Sequence, residues 1–213
     1  GTAFLAEGYP HYFANFGPGV LHACIGGEAD FSHWDTTWFP EFLSDISEFE
    51  RLRFDPQGKW WTAIRRATKA LLDELGDELV VSIADLGGGA DILASAVTTH
   101  QLLLDVIERP EAVKLALNHC HELWMRAYED NVSWFAGRQE VTAPWWPVVS
   151  RGRTYMTQCD FNSMISPELF ADLFADELGA IYAKLDNGAF HRDGIGTEVH
   201  VPALLAQKGL HCI

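Results

Sequence analysis

Apolar residues recur every three to four positions in several long segments of the chain, which predicts amphipathic helices. The stretch "GKWWTAIRRATKALLDELGD" (58–77) carries such a stripe and ends near Gly76, a residue typical of helix termini. The same periodicity predicts further helices from about Asp91, over about 99–107, from Pro110 to about Phe135 and from Pro167 to about Leu185. Residues 1–57 are rich in aromatics, glycine and proline, and they predict loops with short helices.

Short apolar runs between these helices predict β-strands. The run Leu79–Ala84 is partly β-branched, which favours a strand buried on both faces. Three more strands are predicted in "RTYMTQC" (153–159), "GAFH" (188–191) and "LHCI" (210–213), the last two separated by a helix in "VPALLAQKG". Strands that alternate with helices predict an α/β fold with a parallel sheet and right-handed crossovers.

The composition predicts one domain over residues 1–213 and limits the class of partner. The chain has 213 residues, is 48% hydrophobic and carries a net charge of -15, from 15 basic and 30 acidic residues. A nucleic-acid groove or an anionic membrane surface requires clustered Lys and Arg, which this sequence lacks. No run approaches the ~20 apolar residues of a membrane span. A small-molecule substrate is therefore the predicted partner, and the sequence leaves the oligomeric state open.

The cysteines and the ends of the chain give two further expectations. Four widely spaced cysteines without a CxxC pair predict reduced thiols and a cytoplasmic protein. The first residues, "GTAFLAEGYP", lack the pattern of a signal peptide. The sequence has no initiating Met and stops inside the apolar run "GLHCI", so we expect an incomplete chain.

Polar residues follow three of the predicted strands, at the point where each strand ends. They are Asp85 before "LGGG", Asp160 and Asn162 after "YMTQC", and His191 with Asp193 after "AF". Because the carboxyl ends of parallel strands meet at one edge of a sheet, we expect these side chains to form an active site.

His191 and Asp193 are two positions apart and would face the same side of a strand. An imidazole and a carboxylate that converge there can bind a divalent metal or transfer a proton. Alternatively, Asp193 caps a turn and His191 bonds to a backbone carbonyl. Cys159 and Cys212 also lie near predicted strand ends, where they are either soft metal ligands or small buried hydrophobic residues.

Two other patterns have both a functional and a structural interpretation. The glycines at 87–89 would present backbone N–H groups to an anion at a helix start, or they would form a tight strand-to-helix turn. The pattern does not fit a nucleotide-binding motif. The tryptophan pair 145–146 favours core and loop packing over a ligand cage.

Several segments of the sequence together resemble the uroporphyrinogen decarboxylase superfamily. They are "NFGPGVL" (15–21), "ILASAVTTHQLLLDVIERPEAV" (92–113), "CDFNSMISPELF" (159–170) and "FHRDGIG" (190–196). The resemblance implies a TIM (β/α)8 barrel, only part of which is present in this chain, with the site at its C-terminal face.

The superfamily includes cobalamin-linked methyltransferases and tetrapyrrole decarboxylases. The methyltransferases bind zinc through His-x-Cys and a later Cys, and the metal-bound thiol takes a methyl group from a corrinoid. His191 matches that histidine, whereas Asp193 stands where those enzymes have cysteine. The decarboxylases use no metal, hold an acidic tetrapyrrole with basic residues, and have an arginine-rich N-terminal signature that is not visible here.

The sequence therefore favours a methyltransferase-like enzyme, with zinc and a corrinoid delivered by a partner protein as the implied cofactors. The assigned roles are Asp160 and Asp193 in catalysis, Asp85, Asn162 and His191 in substrate binding, and His191 and Asp193 as metal ligands. Two alternatives stay open: a uroporphyrinogen-type decarboxylase, which is a lyase, and a non-catalytic ligand-binding barrel.

Overall fold

The computed structural model describes residues 9–213, and within them short parallel strands alternate with helices. The absence of a signal peptide was predicted from residues that lie mostly outside this range. The strands are β1 (His11–Tyr12), β2 (Val80–Val81), β3 (Thr154–Gln158), β4 (Asn187–His191) and β5 (Leu210–Cys212). The α-helices are α1 (Leu21–Cys24), α2 (Lys59–Leu75), α3 (Gly89–Val97), α4 (Thr99–Glu108), α5 (Pro110–Ser133), α6 (Pro167–Leu173), α7 (Ala175–Tyr182) and α8 (Val201–Leu205). Three 3-10 segments complete the described secondary structure, over Ile46–Arg51, Asp160–Met164 and Thr197–His200.

The described strands form two small parallel sheets. β1 pairs with β2, and β3, β4 and β5 lie side by side in that order. The predicted α/β fold with parallel strands and intervening helices is thereby confirmed.

The strand predicted over Leu79–Ala84 is shorter than expected, because the amides after Ser82 find partners outside β1. The Ile83 N–H donates to the carbonyl oxygen of Ala143 at 2.8 Å, and the Ala84 N–H donates to Asn131 Oδ1 at 3.1 Å. Burial on both faces is confirmed for Val81 to Ala84, whereas Leu79 and Val80 are only half-buried.

Helix α5 has the inner face that its sequence predicts, and it supports the chain after β2. Pro110 occupies its first turn, and the predicted stripe is buried along its whole length. Trp124 stacks on Tyr128 with ring centroids 5.3 Å apart and meets Tyr155 of β3 edge-on at 4.8 Å. These rings also hold the loop after β2, because Trp124 Nε1 donates to the Gly87 carbonyl at 3.0 Å and Tyr155 Oη accepts from the Leu86 N–H at 2.7 Å.

The apolar stripe after Ser166 belongs to two helices instead of one. Ser166 caps α6 as predicted, since its hydroxyl accepts from the Leu169 N–H at 3.3 Å. Phe174, whose φ of -114° is more extended than that of a regular helix, separates α6 from α7. Its ring is buried against Phe161 and Phe170, at centroid distances of 5.7 and 6.5 Å.

Between residues 9 and 213, no single helix combines the length and the apolar character needed to cross a membrane. The pair α3 and α4 passes that test only when the two are joined, and they meet at a 110° bend.

Candidate active site

The ends of β3 and β4 place Asp160 and Asp193 at equivalent positions. Gln158 pairs with His191 in the parallel ladder, and each aspartate follows its member of that pair by two residues. Asp160 and Asp193, which were predicted to lie at one edge of the sheet, therefore follow their strands at the same position in the ladder.

The charges of Asp193 and His191 both act on the Asp160 carboxyl. Burial raises the pKa of the Asp160 carboxyl above its usual value, the negative charge of Asp193 raises it further, and His191 lowers it. Asp160 is thus influenced by His191 and Asp193, the first and last residues of the "HRD" segment.

Asp85 joins the same group from the end of the chain segment that follows β2. Its side chain is buried, and its Oδ1 atom accepts from the Gly87 N–H at 3.0 Å. Burial raises the pKa of Asp85 to about 7, and Asp160 contributes to this increase. At neutral pH this carboxyl is poised to gain or lose a proton.

The three glycines after Leu86 form a tight turn, as one of the two interpretations of the sequence predicts. Gly87 has φ +76°, and a Cβ atom on it would lie 2.7 Å from the Gly19 Cα. A Cβ atom on Gly88 would lie 2.1 Å from the Gln158 carbonyl oxygen. Close approach of three backbone segments therefore requires glycine here.

A carboxyl group of the protein itself occupies the start of α3, where the other interpretation placed an external anion. A Cβ atom on Gly89 would lie 2.1 Å from Glu177 Oε1 of α7. Glu177 is 9% exposed, and within the described part of the chain its Oε1 atom has no hydrogen-bond partner. Burial raises the pKa of Glu177 to about 8, and the Asp91 charge raises it in addition, so this side chain is mostly neutral at pH 7.

Asp91, like Glu177, is a carboxyl group of this region that was not predicted from the sequence. Its two oxygens accept from the backbone N–H groups of Phe161 at 2.9 Å and Asp160 at 3.1 Å. Burial raises the pKa of Asp91 to about 7, and the Asp160 charge is the next cause. Asp91 therefore holds the 3-10 segment Asp160–Met164 in place and lies beside Asp160.

Asn162, which was predicted to bind substrate, is buried within this 3-10 segment and only 2% exposed. The backbone carbonyl oxygen of Asn162 accepts from His200 Nε2 at 2.8 Å. Its Oδ1 atom has no partner among residues 9–213. The structure therefore places Asn162 behind Asp160, toward the protein interior.

His191 is flanked by the tryptophan pair 145–146. The imidazole centroid lies 5.2 Å from that of Trp145 and 4.9 Å from that of Trp146. Trp145 is anchored to β3, since its Nε1 atom donates to the Met156 carbonyl at 3.0 Å. Two indoles thus border the strand-end group. Asp193 Oδ1 accepts from the Gly194 N–H at 2.6 Å, the turn-capping contact that the sequence offered as one alternative.

The residues that could hold a metal ion do not form a complete set here. In the described range, no three or more His, Cys, Asp or Glu side chains are arranged to hold a metal ion. Cys159 is buried, and burial together with Asp91 and Glu177 raises its pKa well above the usual range, so the metal-binding thiolate is disfavoured. Cys212, the other predicted soft ligand, is exposed on β5.

A cavity of about 680 Å³ lies beside the strand-end group and is bordered by Asp91 and Asp160. It is also lined by the loop 36–41, by Ser95 of α3, by Thr99 of α4 and by Thr98 between these helices. Thr98 has φ 84°, the only positive φ of a non-glycine residue within the described part of the chain. Such backbone strain in a residue that lines a cavity is often found at functional sites.

The loop over this cavity is tied to α3 through His22. The Nε2 atom of His22 donates to the Pro40 carbonyl at 3.1 Å, which leaves Nδ1 to accept from Ser95 Oγ at 2.8 Å. Burial lowers the pKa of His22 to about 4, so the ring is neutral at pH 7.

Comparisons with known proteins give a likeness in structure but not in sequence. No family model matches the chain, and no curated protein matches it either. The structure is similar to that of a methyltransferase from Methanosarcina mazei, with a TM-score of 0.69 at 12% sequence identity. The match covers 93% of this chain and 56% of the methyltransferase. The chain therefore has a methyltransferase-like α/β fold and spans little more than half of the protein that it resembles.

Proposed function

We propose that this chain is part of a methyltransferase-like enzyme of the uroporphyrinogen decarboxylase superfamily, built on a (β/α)8 barrel. The observation that carries the reaction class is the fold shared with a methyltransferase over 93% of the chain. The parallel order β3-β4-β5 and the grouping of acidic side chains at the strand ends support a barrel mouth as the site.

Asp160 and Asp193 are the proposed catalytic residues. The raised pKa of Asp160 brings its carboxyl closer to neutrality, which suits a group that removes a proton from a methyl acceptor. Asp85, with a pKa of about 7, can accept that proton within the same group. His191 and Asp85 are the proposed substrate-binding residues of the strand-end group, although neither is among the residues that line the cavity of about 680 Å³. Asn162, which is 2% exposed and lies behind Asp160, would act on the substrate only through its neighbours.

The proposal includes a corrinoid as the methyl donor, whereas the described residues could supply only part of a zinc site. The described residues supply at most His191 and Asp193 toward a zinc ion, whereas a zinc site requires about four ligands. The described side chains therefore do not complete a zinc site, and no step is derived through a metal. A corrinoid delivered by a partner protein would supply the methyl group.

The test is methyl transfer from methylcobalamin to a small thiol, measured on the protein by mass spectrometry of the product. Asp160→Asn is expected to lower the rate by about a hundredfold, the range typical of losing a general base. The matched control is Asp77→Asn, because Asp77 is exposed and lies outside the strand-end group. Absence of transfer by the unsubstituted protein, or an unchanged rate in Asp160→Asn, would count against the proposal.

Metal content and carbon dioxide release separate the remaining alternatives. Zinc bound stoichiometrically and lost in His191→Ala would add the metal to the proposal, with His211→Ala, an exposed histidine on β5, as control. Release of carbon dioxide from uroporphyrinogen would instead identify a decarboxylase. Tight ligand binding without turnover would identify a binding protein.

A further inference from the structure

Asp91 connects the first turn of α3 to the end of β3. One of its carboxyl oxygens accepts from the backbone N–H of Asp160 at 3.1 Å, and the other accepts from the N–H of Phe161 at 2.9 Å. Asp160 and Phe161 are the first two residues of the 3-10 segment Asp160–Met164. A single carboxyl group therefore holds two consecutive peptide units at the point where β3 ends.

The residue that precedes this 3-10 segment does not cap it. Cys159 occupies the capping position, and its side chain makes no capping hydrogen bond. The first N–H groups of a helical segment have no partner inside that segment, and an N–H group that is buried without an acceptor is costly. Asp91 supplies the missing acceptors from a helix that is remote in sequence.

The Asp160 carboxyl depends on its backbone for its position. The N–H of Asp160 is held by Asp91, and its carbonyl oxygen accepts from Ser163 Oγ at 2.8 Å. In contrast, no hydrogen bond within residues 9–213 includes its side-chain oxygens, on which burial, Asp193 and His191 act. The place of this carboxyl is therefore set by the peptide that Asp91 holds.

The Asp91 carboxyl is itself confined and is already engaged. Its Oδ2 atom would lie 3.3 Å from a Cβ atom on Gly88, so the glycine turn packs closely against it. Asp91, Asp160 and Phe161 all line the cavity of about 680 Å³. Since both Asp91 oxygens accept from backbone N–H groups, this side chain is suited to supporting the cavity wall and not to binding a ligand.

We propose that Asp91 is a positioning residue of this enzyme, which holds the N–H groups of Asp160 and Phe161 and thereby sets the place of the Asp160 carboxyl. The inference rests on the proposed function, because Asp160 is the proposed catalytic group. Displacement of a reacting group by ~1 Å can lower a rate by about a hundredfold.

The kinetic constants of Asp91→Asn separate positioning from substrate binding. Asparagine keeps one oxygen, but its NH2 group cannot accept, so one of the two hydrogen bonds is lost. For methyl transfer from methylcobalamin to a small thiol, kcat should fall about tenfold or more, whereas KM for the thiol should change less than about twofold. A raised KM with unchanged kcat, or no change in either, would overturn the proposal.

A double-mutant cycle with Asp160→Asn tests whether Asp91 acts through Asp160. In the Asp160→Asn background, Asp91→Asn should cause little further loss of rate, because the group that it positions is already absent. An equal fall in both backgrounds would mean that Asp91 acts independently of Asp160 and would refute positioning. If Asp160→Asn leaves no measurable rate, kcat and KM of the single Asp91→Asn variant decide.

Asp45→Asn is the matched control, because Asp45 caps another 3-10 segment. Its side chain accepts from the Ser47 N–H at 2.9 Å, and Asp45 does not line the cavity. Asp45→Asn should lower stability without changing kcat, and an equal fall of kcat in both variants would show general damage and refute positioning. If Asp91→Asn fails to fold, Asp91→Ser replaces it, since one short hydroxyl can accept from at most one of the two N–H groups.

Backbone order parameters from ¹⁵N relaxation give a readout that does not depend on activity. The amides of Asp160 and Phe161 should be rigid in the original protein, with values of about 0.85, and lower in Asp91→Asn but not in Asp45→Asn. If the original protein transfers no methyl group, the proposed function fails, and these values still decide whether Asp91 holds the segment. Methyl transfer by the original protein, together with unchanged order parameters in Asp91→Asn, would support the enzyme and refute the positioning role.

Discussion

At the scale of the residue, Glu177 is a carboxyl group in an environment that disfavours its charged form. It is a carboxyl group on α7 that is 9% exposed, with one oxygen against Gly89 and no donor for that oxygen among the described residues. Burial raises its pKa from 4.5 to about 8. Folding therefore keeps this group protonated at pH values where the unfolded chain would ionise it.

We expect Glu177→Gln to change how stability depends on pH. A raised pKa in the folded state means that the contribution of Glu177 is fully present below pH 4.5 and decreases as pH rises to about 8. The decrease is at most ~1.4 kcal/mol per pH unit. Glutamine cannot ionise, so urea unfolding should show a gain in stability of the variant over the original protein that grows between pH 5 and pH 8.

The control for this comparison is Glu78→Gln, because Glu78 is exposed. Its stability should parallel that of the original protein at every pH. A Glu177→Gln variant that shows the same parallel course would mean that Glu177 is ionised in the folded protein.

The strand-end residues were predictable from the sequence, whereas the carboxyl groups behind them were not. Asp160, His191 and Asp193 follow apolar runs, and the geometry of parallel strands brings such positions together. Asp91 looks like an ordinary acidic residue in a helical first turn. Its role depends on the amides of Asp160 and Phe161, 69 and 70 positions away, and no local pattern records that contact.

At the scale of the element, the turn of Gly87, Gly88 and Gly89 fixes the distance between β3, α3 and the loop of Gly19. Each glycine meets a different neighbour: the Gly19 backbone, the Gln158 carbonyl and the Glu177 carboxyl. The first two contacts are between backbone atoms, which cannot move aside as a flexible side chain can.

Gly88→Ala should therefore disturb the end of β3 as well as lower stability. The added Cβ atom would lie 2.1 Å from the Gln158 carbonyl oxygen, and overpacking of this kind costs ~1–3 kcal/mol. Amide hydrogen exchange should become faster in the segment Asp160–Met164. Gly137→Ala, where no atom lies within 4 Å of the added Cβ, should leave that exchange unchanged although φ is +71°. Equal exchange in both variants would show that the turn tolerates a side chain.

Elements with strong local patterns were predicted, and elements that depend on a remote partner were not. Helices α2 and α5 match their apolar stripes, and β4 matches "GAFH". β1 has only the two residues His11 and Tyr12, and it exists because Val80 and Val81 pair with it. The division between α6 and α7 falls at Phe174, whose buried ring packs against Phe161, and the apolar periodicity does not indicate it.

At the scale of the whole molecule, burial divides the cysteines into two classes. Cys24, Cys120 and Cys159 are buried, and burial raises the pKa of each thiol. Cys212 is exposed on β5. Because the thiolate is the reactive form, the folded protein should react at one cysteine only.

Alkylation with iodoacetamide at pH 8, followed by peptide mass spectrometry, tests this expectation. Cys212 should be modified at least tenfold faster than the other three cysteines in the folded protein. All four should react at similar rates in urea. Rapid modification of Cys159 without denaturant would show that the end of β3 is open to solvent, contrary to the structure.

The extent of the whole fold was the part least accessible to the sequence. The alternation of strands and helices predicted a parallel α/β architecture, and that is what the structure shows. The barrel that the family resemblance implies is not shown by the two small sheets of the described residues, and the chain spans 56% of the methyltransferase that it resembles. Local periodicity carries no information about pairing between distant strands.

The hydrogen bonds that fix the glycine turn also bear on the order of folding. The Gly87 carbonyl oxygen accepts a hydrogen bond from Trp124, 37 positions away along the chain. The N–H of Leu86 donates to Tyr155, 69 positions away. Loops of this length close slowly relative to helix formation. The turn, and with it the pocket for a substrate, would be assembled only after α5 and β3 have docked, so a ribosome-bound chain truncated before residue 154 would contain the sequence of α1 to α5 but no binding site.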